Sequence, residues 1–506
     1  MQTETPHFDV LIIGAGLSGI GAAVHLQRHC PGKSYAILET RDAIGGTWDI
    51  FRYPGIRSDS DMHTLGYSFK PWTAAKSIAD GPSIRSYVNE TADEHGIREH
   101  IRFHSRMTKA DWNSAAAAWQ VEVENTETGA AETMTCGFLM MCSGYYSYRQ
   151  GHTPDFEGRE DFAGEIVHPQ FWPEDLDYAG KKVVIIGSGA TAMTLVPAMA
   201  GKAGHVTMLQ RSPTYVVSRP DEDGIANTLR KFLPNTWAYG LTRMKNVALQ
   251  QFMYAQTSKN PEKVKERLLG MLREELGPDF DIETHFTPTY NPWDQRLCLV
   301  PNSDLFEALR EGRASVVTDH IERFDATGIQ LKSGEHVDAD IIVTATGLEL
   351  VILGEAAFSV DGEQVDFSKT WTYKGLAYSG VPNLVSTFGY INASWTLRAD
   401  LTSEYACRVL NRMDELGANT VVPHLRPGEE DMPARAWIDE FSPGYMQRVM
   451  HKFPKQGDRE PWLNPQSYGR DKKMFRHAPL EDGALVFTRN GRRLDAGAPA
   501  DLAAAE

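Results

Sequence analysis

Cysteine is scarce: 506 residues contain five (Cys30, Cys136, Cys142, Cys298, Cys407), with no CxxC pair and no even ladder. That pattern excludes a disulfide-stapled secreted scaffold and fits a reducing compartment. Excess positive charge is also missing. The 51 Lys+Arg against 67 Asp+Glu leave a net charge of −16 and a pI near 5.5, which argues against nucleic acid as the main partner. The chain does not open on a basic segment followed by an apolar run, so no secretory leader is expected. The one uncharged stretch long enough to suggest a membrane span, Val183–Gly201, is interrupted by Gly187, Gly189 and Pro197. It reads better as strand, glycine turn and helix. No metal site is expected. With 42% apolar and 23% charged residues, the composition is that of a globular protein, the length suggests two or three domains, and a cytoplasmic location is expected.

What is present is a repeated grammar. Phe8–Ile13 is a β-type run that ends in Gly14-Ala15-Gly16-Leu17-Ser18-Gly19, followed by an apolar helical stretch and a second run, Ser34–Leu38, ending at Glu39. Lys182–Ile186 leads into Gly187-Ser188-Gly189-Ala190-Thr191-Ala192, a helix to about Met199, then Val206–Leu209 and Arg211. Both read as βαβ dinucleotide units. A GxGxxG alone is weak: with 43 glycines in 506 residues it arises by chance about 0.3 times, so the strand–turn–helix context carries the reading. The glycines let backbone approach a pyrophosphate, and the helix N-terminus favours its charge. Glu39 is placed to accept from a ribose diol, or is a surface glutamate after a strand. In the second unit Arg211, followed by Ser212, stands where an acid would repel a 2′-phosphate; a guanidinium there grips one. The first nucleotide is therefore read as FAD and the second as NADPH. Gly45-Gly46-Thr47-Trp48 suits a loop passing close to a flat ring.

The most specific signal lies just before the second turn: Phe162, Gly164, His168, Trp172 and Pro173 at spacings that chance would produce on the order of 10⁻⁴ times for this composition. A histidine, an indole and a rigid proline there could lock or hinge two nucleotide domains; the bland alternative is a packed linker. Between Asp221 and Pro288 strand signals vanish and helical periodicity takes over. Residues 224–273 of this insertion hold nine Lys/Arg against two Asp/Glu, a solvated face or a weak peripheral contact with acidic lipid.

The Phe162-to-Pro173 segment resembles the fingerprint of type I Baeyer–Villiger monooxygenases, within class B flavin monooxygenases. The likeness extends to both glycine turns, Gly45–Trp48, Tyr53-Pro54-Gly55, the Asp340–Gly347 strand ending and the region of Trp395. The run Tyr290–Arg296 is most like the branch that contains a mycobacterial thioamide-activating enzyme. The resemblance implies a fold of two doubly wound Rossmann-like α/β domains with a helical insertion. Residues 1–145 and 360–506 would form the FAD domain. Residues 146–220 and 289–359 would form the linker and NADPH domain, around the insertion at 221–288.

It also implies NADPH- and O2-dependent insertion of oxygen beside the carbonyl of a small apolar ketone, through a flavin C4a-peroxide, giving an ester or lactone. Sulfide or thioamide oxygenation would accompany it. A nitrogen- or sulfur-oxygenating flavin monooxygenase with little ketone activity is the alternative. By resemblance Arg296 is the active-site cation, Asp59 the acid that supports it, and Trp395 a tryptophan near nicotinamide and substrate. Without the family match, Arg296 could pair with Asp294, Asp59 could cap a helix, and Trp395 could be core. Gln295 stands where many relatives carry Lys, which puts more of the NADPH selection on Arg211 and Ser212.

Overall fold

Val10–Ile13 is an unbroken apolar run, buried on both faces, as a central parallel strand requires. It forms most of β1 (His7–Ile13). The computed structural model describes residues 5–292, 294, 297–439 and 444–494. After β1 the chain turns at Gly14 into α1 (Leu17–His29). β2 (Tyr35–Leu38) and β3 (Ala131–Met141) flank β1 in parallel, with Leu38 and Met141 level with Ile13. These strands are the centre of a sheet that has nine strands among the described residues.

The chain then crosses to a second sheet by way of β4 (Tyr146–Gly151) and β5 (Glu165–Val167). There β6 (Lys182–Ile186), α2 (Ala190–Ala200) and β7 (His205–Gln210) repeat the first unit. Three helices follow: α3 (Gly224–Phe232), α4 (Asn235–Lys259) and α5 (Pro261–Leu276). α5 buries Leu268, Leu269, Leu272 and Leu276 on one face against the core of the second sheet. β8 (Ala314–Thr318) and β9 (Ile341–Thr344) complete an all-parallel sheet of order β8-β7-β6-β9-β5.

The chain returns through β10 (Leu348–Leu350), which pairs antiparallel with β4, Leu348 opposite Gly151 and Leu350 opposite Tyr146. The start of the stretch 146–220, expected to be linker, therefore contains a strand. Its partner lies some 200 residues away, beyond the reach of local sequence pattern. Ala357–Val360 then pairs with Lys109–Trp112, and Leu384–Ser386 with β3, so the return to the first sheet begins just before residue 360. α6 (Trp395–Leu416) packs along α1. The architecture is α/β with two Rossmann-like units and a helical insertion. No described helix is long and apolar enough to cross a membrane.

Candidate active site

Both glycine turns are built the same way. Gly14 has φ +101°, and a Cβ there would lie 2.7 Å from the Cys142 carbonyl oxygen beyond β3; its N–H donates to Leu38 O at 2.8 Å. Gly187 has φ +137°, and a Cβ would lie 2.4 Å from the Ala345 carbonyl oxygen beyond β9; its N–H donates to Leu209 O at 2.8 Å. Only glycine takes these conformations without strain. The second glycines, Gly16 and Gly189, are the N-caps of α1 and α2, and neither helix has a side-chain cap. The orphan amides of each first turn are thus left for an anion.

The third positions differ. A Cβ at Gly19 would fall 1.8 Å from the Gly14 carbonyl oxygen, whereas the second unit seats a buried Ala192 there. Gly46 faces Gly16: a Cβ on it would meet the Gly16 Cα at 3.1 Å, and Gly45 N–H donates to Ala15 O at 3.1 Å. The Gly45-Gly46-Thr47-Trp48 loop is therefore docked on the first turn, leaving a cradle that any side chain at Gly46 would obstruct.

Glu39 is buried beside this cradle. Its Oε2 accepts from Ala15 N–H at 2.7 Å and its Oε1 from Arg41 N–H at 2.9 Å. Burial raises its pKa against the opposing effect of those two amides. Sequence reasoning missed what anchors the loop. Asp49 is 1% exposed and receives Arg41 at 2.5 Å, Arg85 at 3.0 Å and Arg52 at 3.1 Å. The only signal in the chain was a carboxylate directly after the Gly-Gly-Thr-Trp run.

One cavity of about 610 Å³ joins these elements. Gly14, Gly16, Glu39, Gly46, Thr47 and Trp48 line it from the first unit, and Thr191 and Thr194 of α2 from the second. Gln250 of α4 and Asp59 also line it. Asp59 is not a helix cap. That role belongs to Asp61, whose Oδ1 accepts from His63 N–H at 3.0 Å and Thr64 N–H at 3.2 Å. Burial opposes ionisation of Asp61, but hydrogen bonds from His63, Asn246 and Thr64 outweigh it and hold its pKa below the usual value. Trp395 heads α6: its indole N–H donates to Ser18 Oγ at 2.7 Å, and its ring stacks on Tyr145 at 4.9 Å. With Phe388, 5.4 Å from Trp395, these rings make an aromatic wall near the first turn. Arg296 and Gln295 lie outside the described residues.

Gly187, Gly189, Arg211 and Ser212 lie outside the lining of that cavity, and Ala192 is fully buried beneath the second turn. Ser188 Oγ donates to the Ser212 carbonyl at 3.0 Å, which ties the turn to the end of β7 and leaves Arg211 exposed beside it.

The fingerprint residues gather where the chain crosses between sheets. Phe162 is buried in a core cluster of the second unit, and Gly164 backs onto the Asp340 carbonyl. His168 Nδ1 accepts from Gln170 N–H at 3.2 Å, so Nε2 carries the proton and donates to Gly347 O at 3.2 Å. Desolvation lowers the pKa of this imidazole. A Cβ at Gly151 would lie 2.0 Å from its ring. His168 therefore packs on both crossings, at the Gly151 end of β4 and just before β10. Trp172 packs partly buried on the second core. Nearby, Arg52 reaches Glu174, next to Pro173, at 2.9 Å. Tyr53-Pro54-Gly55 brings Gly55 against Ala198 of α2.

A model of flavin-binding monooxygenase-like proteins matches residues 77–422, and an NAD(P)-binding Rossmann-like domain matches residues 12–80. The chain is 54% identical over 486 residues to the FAD-containing monooxygenase EthA of Mycobacterium tuberculosis, covering 96% of this chain and 98% of that one. This chain belongs to the flavin-binding monooxygenase-like family. The EthA of Mycolicibacterium smegmatis is likewise 54% identical, over 487 residues, with 96% and 98% covered. In fold the family member resembles a steroid monooxygenase bound to NADP (TM-score 0.70, 24% identity, 82% and 87% covered). It also resembles OTEMO in complex with FAD and NADP (TM-score 0.72, 20% identity, 96% and 100% covered). Membership makes the protein a flavin-dependent monooxygenase with FAD and NADPH as cofactors. The two uncapped helix N-termini and the slots that a Cβ would fill fit two dinucleotides.

Proposed function

We propose that this monooxygenase inserts one oxygen atom beside a ketone carbonyl to give an ester or lactone, and that the same site oxygenates sulfides or thioamides. The supporting observation is the shared cavity: residues of the first glycine turn and of α2 from the second unit bound one space. The first turn, Glu39 and the Gly45–Trp48 loop would hold FAD; the second turn with Arg211 and Ser212 would hold NADPH. When bound, FAD reduced by NADPH supplies the activated oxygen.

The chain's own residues do the rest. Trp395, Tyr145 and Phe388 exclude water from one side of the cavity, which strengthens charge interactions inside it. Arg296 is assigned the fixed cation that stabilises developing negative charge, and Asp59 the carboxylate that orients it. His168 and Trp172 hold the crossings between the two units in place. The full Phe162-to-Pro173 pattern, ending in Trp172-Pro173, favours a carbonyl over a nitrogen substrate. The test is Arg296→Ala: flavin binding and its reduction by NADPH persist, while ester formation falls below detection. Normal ester yield from that variant refutes the assignment.

A further inference from the structure

α4 is amphipathic the wrong way round for a helix that only covers a core. Its inward face is polar. Tyr239 donates to Tyr67 O at 2.9 Å, Arg243 to the carbonyls of His63 and Gly66 at 2.9 and 2.8 Å, and Asn246 to Asp61 at 2.9 Å. Its outward face carries Trp237, Leu241, Met244 and Phe252, spaced by four, three and eight residues and so on one stripe. Trp237 is 68% exposed, Met244 66%, and Phe232 at the end of α3 81%. Among the described residues every large exposed apolar side chain except Phe171 lies on α3 and α4. Isolated exposed apolar groups need no explanation, but a contiguous stripe does.

We propose that this face docks on an anionic lipid bilayer. Charge decides between lipid and protein. The chain carries −16 overall, yet residues 224–273 hold nine Lys/Arg against two Asp/Glu; of these nine, Arg243 turns inward and Lys245 pairs with Asp223, and the others include the exposed lysines of this face. Lys231, Lys259 and Lys263 are exposed on the same three helices. A second copy seated on the stripe by two-fold symmetry would oppose these lysines with their own equivalents, whereas anionic headgroups complement them. Aromatic and aliphatic groups entering the headgroup boundary with lysines around them is the pattern of an interfacial helix. Gln250, next to exposed Leu249, lines the cavity, so the helix that meets lipid is also a wall of the site. The proposal stands on this surface and is independent of the ketone assignment.

Flotation of the flavin-loaded enzyme with phosphatidylcholine vesicles, with and without phosphatidylglycerol, tests it. Binding to the anionic vesicles that weakens with added salt is expected. Phe232→Ser/Trp237→Ser should lower the partition coefficient roughly a hundredfold, about one decade per aromatic. Lys231→Gln/Lys259→Gln should lower it roughly thirtyfold on anionic vesicles. Both variants change exposed positions, and retained flavin absorbance verifies that they fold. No flotation of the wild type overturns the proposal, as does equal flotation of the aromatic variant. So does a wild-type dimer in sedimentation velocity that the aromatic variant dissociates without lipid.

Discussion

Gly189→Ala separates cofactor approach from fold more cleanly than any other single change in the two turns. A Cβ at Gly189 meets nothing within 4 Å, and its backbone, at φ −84° and ψ −177°, is extended and open to any residue. Stability should therefore change by no more than about 1 kcal/mol. The methyl group instead occupies the space a pyrophosphate needs to reach the amides that open α2. Losing one hydrogen bond to a charged acceptor costs about 1.5–3 kcal/mol, so KM for NADPH should rise roughly ten- to 150-fold. Flavin content should be unchanged, because the first turn is untouched. Gly187→Ala cannot make this separation, since its Cβ would strike the Ala345 carbonyl at 2.4 Å. Steady-state kinetics, flavin absorbance and thermal unfolding of Gly189→Ala supply the three readouts. An unchanged KM would mean that no pyrophosphate sits on Gly189; loss of flavin instead would mean that the two turns have exchanged roles.

Two further outcomes follow from the same geometry. Arg211→Gln should raise KM for NADPH by roughly ten- to a hundredfold and leave KM for NADH nearly unchanged, because a guanidinium–phosphate pair is lost; parallel kinetics with both nucleotides check it. His168 has a pKa lowered by burial, so the unfolded chain binds a proton more readily than the folded one. Its stabilising contribution is then full above about pH 6.5 and is lost as pH falls below that value. Thermal unfolding of the wild type and of His168→Gln against pH should show their difference shrinking on acidification, and a constant difference would contradict the role.

The fold class was readable because its signals are local. Apolar runs such as Val10–Ile13 and Val183–Ile186, each followed by glycines and a helical stretch, specify a βαβ unit within about 30 residues. The β4–β10 pairing was not readable, because its partners are some 200 residues apart and β10 has only three residues. The anchoring of the Gly-Gly-Thr-Trp loop was hidden for another reason: its arginines lie 3, 8 and 36 residues from Asp49, at no spacing that marks them as partners. Asp49 looks like any acidic residue until Arg41, Arg52 and Arg85 converge on it. The insertion was legible as helices, but periodicity alone could not tell which face of α4 points inward. Its polar residues bond to the short helical segment of residues 61–67, and that settles the direction.

Turnover of the flavin-loaded enzyme with NADPH, isotopically labelled dioxygen and a panel of linear, cyclic and aryl ketones tests the central claim most directly. Mass spectrometry should show an ester or lactone carrying one labelled oxygen atom, with NADPH consumption stimulated by the ketone. Unchanged ketone throughout the panel, with NADPH oxidised equally fast in its absence, would contradict it.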